Sequence, residues 1–212
     1  KNIKIIEGNP LISHAIKTAI KSKLFSHIIV STDSKKIKDI AISSGAEVPF
    51  DRPKKLAEDS VGIIDVLIHG IKALKKTGYE FDAIVTRDCT VPFINSSHMR
   101  DSILLLNKKK CDGVYAVYRQ HLNPYFNMME PNKQGYLQIS KKPRNEIKSR
   151  QNSPIVYQLN GLFTFNVESL LHYQKLFMPK ILPYEISQSA GFMIDTKFEF
   201  ELAKQIFKKK IF

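Results

Sequence analysis

Residues 30–60, VSTDSKKIKDIAISSGAEVPFDRPKKLAEDS, are the most informative part of the chain, because their pattern predicts one strand-helix-strand unit with polar residues at its turns. Residues 28–30 are a β-branched run, typical of a strand that is buried on both faces. Residues 31–34 then place hydroxyls and a carboxylate where open α/β sheets bind ligands. A helix of about ten residues is predicted next, ending at Gly45 and followed by a second strand at residues 48–50.

The rest of the chain continues this alternation of strand and helix. Apolar periodicity predicts helices at residues 11–20, 35–43, 63–74, 96–109 and 197–209, and strands at residues 83–85, 113–118 and 162–165. This order is typical of a three-layer α/β fold with a mostly parallel, Rossmann-like sheet. The alternation stops at residues 121–157, so we predict one domain over residues 1–212 with an arm inserted at 121–157.

The composition is that of a globular protein with one substantial core: 212 residues, 43% of them hydrophobic and 25% charged. No apolar run approaches the roughly 20 residues needed to cross a bilayer, and the first residues carry no secretory signal. We therefore expect a cytoplasmic protein without a membrane partner. Cys89 and Cys111 are too few for a disulfide framework and are expected to be thiols.

The net charge of +13 comes mainly from lysine, since the chain has 27 Lys and 6 Arg. The lysines are scattered over predicted helix faces instead of forming one basic region with arginines and aromatic residues. This pattern favours solvated helix faces, and after that an attraction for small anionic substrates. A nucleic-acid partner is not expected.

Several motifs occur in a fixed order along the chain: an Arg-Pro pair after the first unit, then HLNPY at residues 121–125, Arg-Gln at 150–151, Asn-Gly at 160–161 and MIDT at 193–196. In this order they resemble the acylneuraminate cytidylyltransferases (CMP-sialic acid synthetases), which join CMP to sialic acid and related sugars. The resemblance covers nearly all of the chain. It implies CTP and an acidic nine-carbon sugar as substrates, Mg²⁺ as cofactor, and a homodimer that forms through the arm at 121–157.

The resemblance also implies roles for residues on the nucleotide side of the site. Lys1 would contact phosphate, Asn2 the ribose or base, and Arg52 with the Asp59-Ser60 turn would border the cytosine. A triphosphate needs cations and backbone N–H groups, and a pyrimidine edge needs fixed donors and acceptors. The alternative for Arg52 is a surface loop arginine.

On the sugar side, the resemblance implies that Arg150 binds the sugar carboxylate, with Gln151 beside it and Asn160 on the sugar's polar groups. Arginine suits this role because its guanidinium pairs with a carboxylate through two hydrogen bonds. The alternative for Arg150 is one more cation in a basic loop.

Residues 85–94, VTRDCTVPFI, depart from the family pattern L-Q-P-T-S-P-L-R. Asp88 stands where a sugar-contacting Gln is expected, and Arg87, counted with the substrate-binding candidates, replaces an apolar residue. A carboxylate at the carboxyl end of a central strand is a candidate Mg²⁺ ligand, with a turn carboxylate as the alternative. Cys89 is expected to be a small buried residue and not a nucleophile.

The MIDT motif departs from the family's D-I-D-T, in which both aspartates hold Mg²⁺, because Met193 replaces the first of them. Asp195 remains, and its alternative role is that of a carboxylate at a helix N-terminus. We predict a rearranged metal site formed by Asp88 and Asp195, with Lys1 completing the catalytic set. Weakened catalysis is the alternative.

In the family, a strand and a loop of the form R-x-G-S-K precede the Lys-Asn pair that matches residues 1–2. We therefore expect the sequence to be an N-terminally incomplete fragment. The function predicted is transfer of CMP from CTP to a sialic-acid-like sugar with release of pyrophosphate. Two alternatives remain open: the same chemistry on Kdo or with another nucleotide, and a non-catalytic module that binds sugar nucleotides or dimerises.

Overall fold

The computed structural model describes residues 1–142, 145 and 147–209. The helices are α1 (Leu11–Ser22), α2 (Lys35–Ser43), α3 (Ile63–Lys76), α4 (Ser96–Lys109), α5 (Val167–Tyr173) and α6 (Lys197–Lys209). The strands are β1 (Ile5–Ile6), β2 (Asn9–Pro10), β3 (Ala83–Arg87), β4 (Gly113–Arg119), β5 (Met129–Pro131), β6 (Leu137–Ile139), β7 (Tyr157–Asn166) and β8 (Ile181–Glu185). Over these described ranges, no helix has both the length and the apolar character that crossing a bilayer requires.

The main sheet has four strands in the order β3-β7-β4-β8. Strand β4 runs parallel to β8, whereas β7 is antiparallel to both β3 and β4. Three strands therefore share one direction and β7 opposes them. The chain reaches β7 from β4 through the 121–157 segment and not through a crossover helix, which permits an antiparallel return.

Helices cover both faces of this sheet, because successive residues of a strand point to opposite sides. On one face, Tyr115 and Phe165 pack against Ile71 of α3 and Leu170 of α5. On the other face, Ala116 and Leu162 pack against Met99 of α4. The predicted three-layer α/β fold is thereby confirmed, but the sheet is mixed and not mostly parallel in its pairing, since β7 pairs antiparallel with both of its neighbours.

The strand-helix-strand unit has fewer residues in strands than predicted. Helix α2 forms as expected, with the Ser34 hydroxyl accepting a bond from the Ile37 N–H at 3.5 Å and Gly45 following at φ +95°. Residues 28–30 make a single parallel bridge, between Ile29 and Glu47, and residues 48–50 form no strand. The bridge is limited to the bonds from Val30 N to Glu47 O (2.9 Å) and from Glu47 N to Ile28 O (2.8 Å).

The segment predicted as an arm contains the β5–β6 hairpin and a short 3₁₀ turn, Arg150–Asn152. Residues 143, 144 and 146 of this segment lie outside the described residues. Buried Asn123 fixes the base of the segment, because its Nδ2 donates to the Pro154 carbonyl at 2.9 Å. Large apolar side chains remain exposed on the hairpin: Met129, Tyr136 and Leu137, at 52%, 73% and 67%.

Candidate active site

A cavity of about 570 Å³ opens beside the carboxyl end of β3. Residues 28–33 form one wall, residues 85–90 form the opposite wall, and α1 contributes apolar side chains between them. Several polar lining residues follow the ends of the two extended segments, as is usual for ligand sites in open α/β sheets. They include Ser31, Thr32, Asp33 and Asp88, together with Asn2 and Arg52.

Arg52 is held against the first of these polar segments. Its Nε donates to the Ser31 hydroxyl at 3.2 Å, its Nη2 donates to the Ser31 carbonyl, and its backbone N–H bonds the Thr32 carbonyl at 3.1 Å. Burial lowers the pKa of Arg52, and the nearby Asp33 carboxylate opposes that shift. Arg52 is therefore a half-buried residue of the cavity wall and not a freely solvated loop arginine.

Asp88 follows β3 directly and lies against β7. Its backbone N–H bonds the Gly161 carbonyl at 2.7 Å, which extends the β3–β7 ladder by one residue. Asp88 lines the cavity and is exposed there. Partial desolvation by neighbouring protein atoms raises the pKa of Asp88 above its ordinary value of 3.8, and the charge of Asp195 raises it further.

Asp195 precedes α6 and pairs with Lys1, whose Nζ lies 3.0 Å from Oδ1. Both side chains are about half exposed, at 56% and 53%. The N-terminus of α6 is satisfied by Glu199, whose carboxylate accepts bonds from the N–H groups of Asp195 (2.8 Å) and Thr196 (2.7 Å). The Thr196 hydroxyl accepts a bond from the Glu199 N–H at 3.2 Å, so Thr196 and Glu199 together cap the helix, and the Asp195 carboxylate pairs with Lys1.

Lys1 contacts Asp195, and the bond from the Ile194 N–H to the Thr90 carbonyl (2.9 Å) joins the segments that carry Asp195 and Asp88. Of these three predicted catalytic residues Asp88 lines the cavity, as do the predicted contacts Asn2, Arg52 and Arg87. Four other candidates lie elsewhere: Asp59 and Ser60 in an exposed turn, Arg150 and Gln151 in the exposed 3₁₀ turn of the arm segment. None of these four lines the cavity, and their roles stay predictions.

Arg87 lines the same cavity, but its guanidinium bonds the protein itself. Its Nη2 donates to the Pro92 carbonyl at 3.0 Å and its Nη1 donates to the Ala15 carbonyl at 3.4 Å, while Nε has no partner among the described residues. Burial lowers the pKa of Arg87 to about 10, so it stays charged at neutral pH. Next to it, burial raises the pKa of Cys89 to about 11, which makes its thiol a poor nucleophile.

Asn160, predicted to contact the sugar, is 1% exposed and bonds the protein itself. Its Nδ2 donates to the Gly191 carbonyl at 2.7 Å, in the loop between β8 and Asp195. A Cβ built on Gly191 would lie 2.6 Å from Cδ1 of Tyr118, and one built on Gly161 would lie 2.6 Å from Cβ of Asp88. Gly191 and Tyr118 were not predicted to have a role, although a glycine inside a strand, such as Gly161, often marks a close approach.

The fold is similar to that of a solved structure, CMP:2-keto-3-deoxy-manno-octonic acid synthetase complexed with CTP. The TM-score is 0.73 at 14% sequence identity, over 99% of this chain and 92% of that one. At this level of identity the likeness concerns the fold. It agrees with the mixed sheet and flanking helices described above.

Curated relatives match almost the whole chain. The chain is 28% identical to the post-translational flagellin modification protein B of Campylobacter coli, over 99% of this chain and 89% of that protein. It is 26% identical to a CMP-N,N'-diacetyllegionaminic acid synthase of Legionella pneumophila, over 97% and 88%. It is 31% identical to an N-acylneuraminate cytidylyltransferase of Escherichia coli, of which it spans about half (49%). The cytidylyltransferase family model matches residues 1–212, and the chain belongs to the cytidylyltransferase family.

Proposed function

We propose that this protein transfers CMP from CTP to the anomeric hydroxyl of an acidic nine-carbon sugar, a sialic-acid-like nonulosonic acid, and releases pyrophosphate. One observation carries the proposal. Lys1, Asp88 and Asp195 come together beside a cavity at the carboxyl end of β3, in a chain of the cytidylyltransferase family. The names of the relatives, which include sialic, legionaminic and pseudaminic acid enzymes, support the class of sugar.

In this reaction the anomeric oxygen forms a bond to the α-phosphorus of CTP as the bond from that phosphorus to the bridging oxygen breaks. Pyrophosphate leaves with the electron pair, and the hydroxyl proton passes to solvent. The step needs alignment and charge stabilisation more than covalent help from the protein. Lys1 supplies a cation at the site, while Asn2 and Arg52 orient the nucleotide from the cavity wall.

The residues at the site fit Mg²⁺. Asp88 and Asp195 repel each other, the Asp88 carboxylate accepts no hydrogen bond from the described residues, and Lys1 neutralises Asp195 alone. The described ranges hold no group of three or more His, Cys, Asp or Glu residues arranged for a metal. Two carboxylates still suffice, because Mg²⁺ commonly binds one or two of them together with waters and substrate phosphates. When bound, Mg²⁺ would offset the negative charge that builds on the phosphate oxygens.

The sugar would be held by Arg150 and Gln151 from the arm, and we propose that the arm packs on a second subunit in a cytoplasmic homodimer. The exposed apolar side chains of the β5–β6 hairpin support this proposal. A contiguous apolar surface of this kind is costly in water and is often covered by a partner. Arg150 lies in the same segment, so a dimer contact would order the residues around it.

The test is pyrophosphate release by the full-length protein with Mg²⁺, each of the four nucleoside triphosphates, and a panel of acid sugars. The panel contains sialic, legionaminic and pseudaminic acids and the eight-carbon acid Kdo. We expect release with CTP and a nine-carbon acid. Release with Kdo alone would indicate that the substrate is an eight-carbon acid. CTP binding without release under any condition would indicate a non-catalytic module.

A further inference from the structure

Two adjacent residues of β7 contact the two chain segments that carry the candidate metal ligands. Gly161 lies opposite Asp88, and Asn160 bonds the loop that leads to Asp195. Because neighbouring residues of a strand point to opposite sides, one dipeptide reaches two different segments.

Gly161 allows the Asp88 side chain to lie directly on the backbone of β7. A Cβ at this position would be 2.6 Å from Cβ and 2.7 Å from Oδ2 of Asp88, closer than side chains tolerate. Any residue other than glycine would therefore push the carboxylate away or break the bond from Asp88 N to Gly161 O.

Asn160 acts on the segment of the other carboxylate, Asp195, through a short series of hydrogen bonds. Its bond to the Gly191 carbonyl fixes a loop in which Gly191 N–H also bonds the Ser187 carbonyl at 3.0 Å. At the end of this loop, the Ile194 N–H bonds the Thr90 carbonyl at 2.9 Å. Thr90 is two residues after Asp88 and Ile194 is the residue before Asp195, so this bond ties the two carboxylate segments together.

We propose that Asn160 and Gly161 are positioning residues that set the separation between the Asp88 and Asp195 carboxylates, and hence the fit of the divalent cation. This inference rests on the proposed function for its metal. It assigns Asn160 a role different from the sugar contact that the family resemblance implies. The side chain is 1% exposed and its Nδ2 donates to the protein, which supports a role in holding the loop, while its Oδ1 has no partner among the described residues.

The test compares Asn160→Ala, Asn160→Asp and Gly161→Ala in the full-length protein. Asn160→Asp keeps the side-chain shape and removes the donor to Gly191. The matched controls are Asn107→Ala, at an exposed helical position, and Gly62→Ala, where φ is −68° and the nearest atom is 3.8 Å from the new Cβ. Circular dichroism establishes that each variant is folded, and if Gly161→Ala is not, the two Asn160 variants carry the test.

Two readouts need neither CTP nor sugar: Mn²⁺ affinity, titrated by electron paramagnetic resonance, and amide hydrogen exchange over residues 187–196. We expect both Asn160 variants to exchange faster in this loop and to bind Mn²⁺ about 10–100-fold more weakly, as is typical when residues that orient metal ligands are lost. Gly161→Ala should weaken Mn²⁺ binding without loosening the loop. The controls should leave both readouts unchanged.

Unchanged exchange and unchanged Mn²⁺ affinity in the Asn160 variants, with a raised KM for the sugar, would overturn the inference and make Asn160 a sugar contact. If the wild-type protein releases no pyrophosphate under any condition, the proposed function fails, but the exchange comparison still decides whether Asn160 holds the loop. If the wild type binds no Mn²⁺, the metal part is overturned.

Discussion

Side chains are arranged in opposite ways in two regions: the carboxyl edge of the sheet and the arm at residues 121–157. At the edge, polar groups are tied to one another: Lys1 to Asp195, Asn160 to the Gly191 carbonyl, and the Asp88 backbone to Gly161. In the arm, apolar side chains point outward and the turn at 150–152 is exposed. One region is fixed by internal contacts, whereas the other offers contacts to something else.

This difference separates two tasks. A transfer reaction needs groups that are already in place, because reorganising them during the reaction raises the barrier. An edge built from strand ends and a bonded loop meets that need. An exposed hairpin contributes little to its own domain, so its apolar surface is better explained by an intermolecular contact. This difference supports the proposal that the edge carries the chemistry and that the arm forms the dimer and selects the sugar.

The largest expected effect concerns the edge. Asp88→Asn and Asp195→Asn should each lower kcat by roughly a hundredfold or more, because each would remove a negative ligand from the proposed metal, which would stabilise several kcal/mol of developing charge. Steady-state pyrophosphate release measures this effect. Asp82→Asn, just before the start of β3 at the opposite end of that strand, is the control and should be near wild type. Activity of Asp88→Asn within a few-fold of wild type would remove Asp88 from the metal site.

The next prediction separates the two regions by kinetic parameter. Arg150→Lys should raise the KM for the sugar about tenfold and leave kcat nearly unchanged, because lysine cannot make the paired bonds of a guanidinium to a carboxylate. Arg100→Lys, an exposed change on α4, is the matched control. A loss confined to kcat would contradict the assignment of Arg150 to substrate binding.

A third prediction concerns assembly. Replacing Tyr136 and Leu137 together with Glu should halve the mass measured by light scattering, because charged side chains oppose burial of the hairpin against a second copy. Leu104→Glu, at a position 58% exposed on α4, should leave the mass unchanged. If the mass of the hairpin variant equals that of wild type, the arm is not the dimer contact.

The smallest effect is on stability and follows from the raised pKa of Asp88. The folded protein binds this proton at a higher pH than the unfolded chain does, so ionised Asp88 destabilises the fold above its folded pKa. The penalty fades as the pH falls through that pKa and is gone below 3.8. Because Asp88 is exposed and solvent screens its charge, Asp88→Asn should raise Tm only slightly, by about 1 °C or less, at neutral pH and by less in acid. Thermal scans across pH measure this, and an equal gain at every pH would contradict it.

Local rules predict most of the helices and part of the site. The apolar period and the flanking residues indicated α2 and α4 with the observed bounds, and the strand-end position of Asp88 indicated a site residue. The direction of β7 was not predictable, because an alternating pattern reports burial and not strand pairing. The contact between Gly161 and Asp88 was not predicted, for a related reason. These two residues are 73 positions apart in the sequence, and only the register between β3 and β7 brings them together.

The most direct test of the central account is a crystal structure of the full-length protein with CTP and Mn²⁺, with the metal located by its anomalous scattering. We expect a metal peak between Asp88 and Asp195, with at least one carboxylate oxygen at a direct ligand distance of about 2.1 Å and the other bound directly or through one water. A metal held by the nucleotide phosphates alone, with both carboxylates turned away, would contradict it.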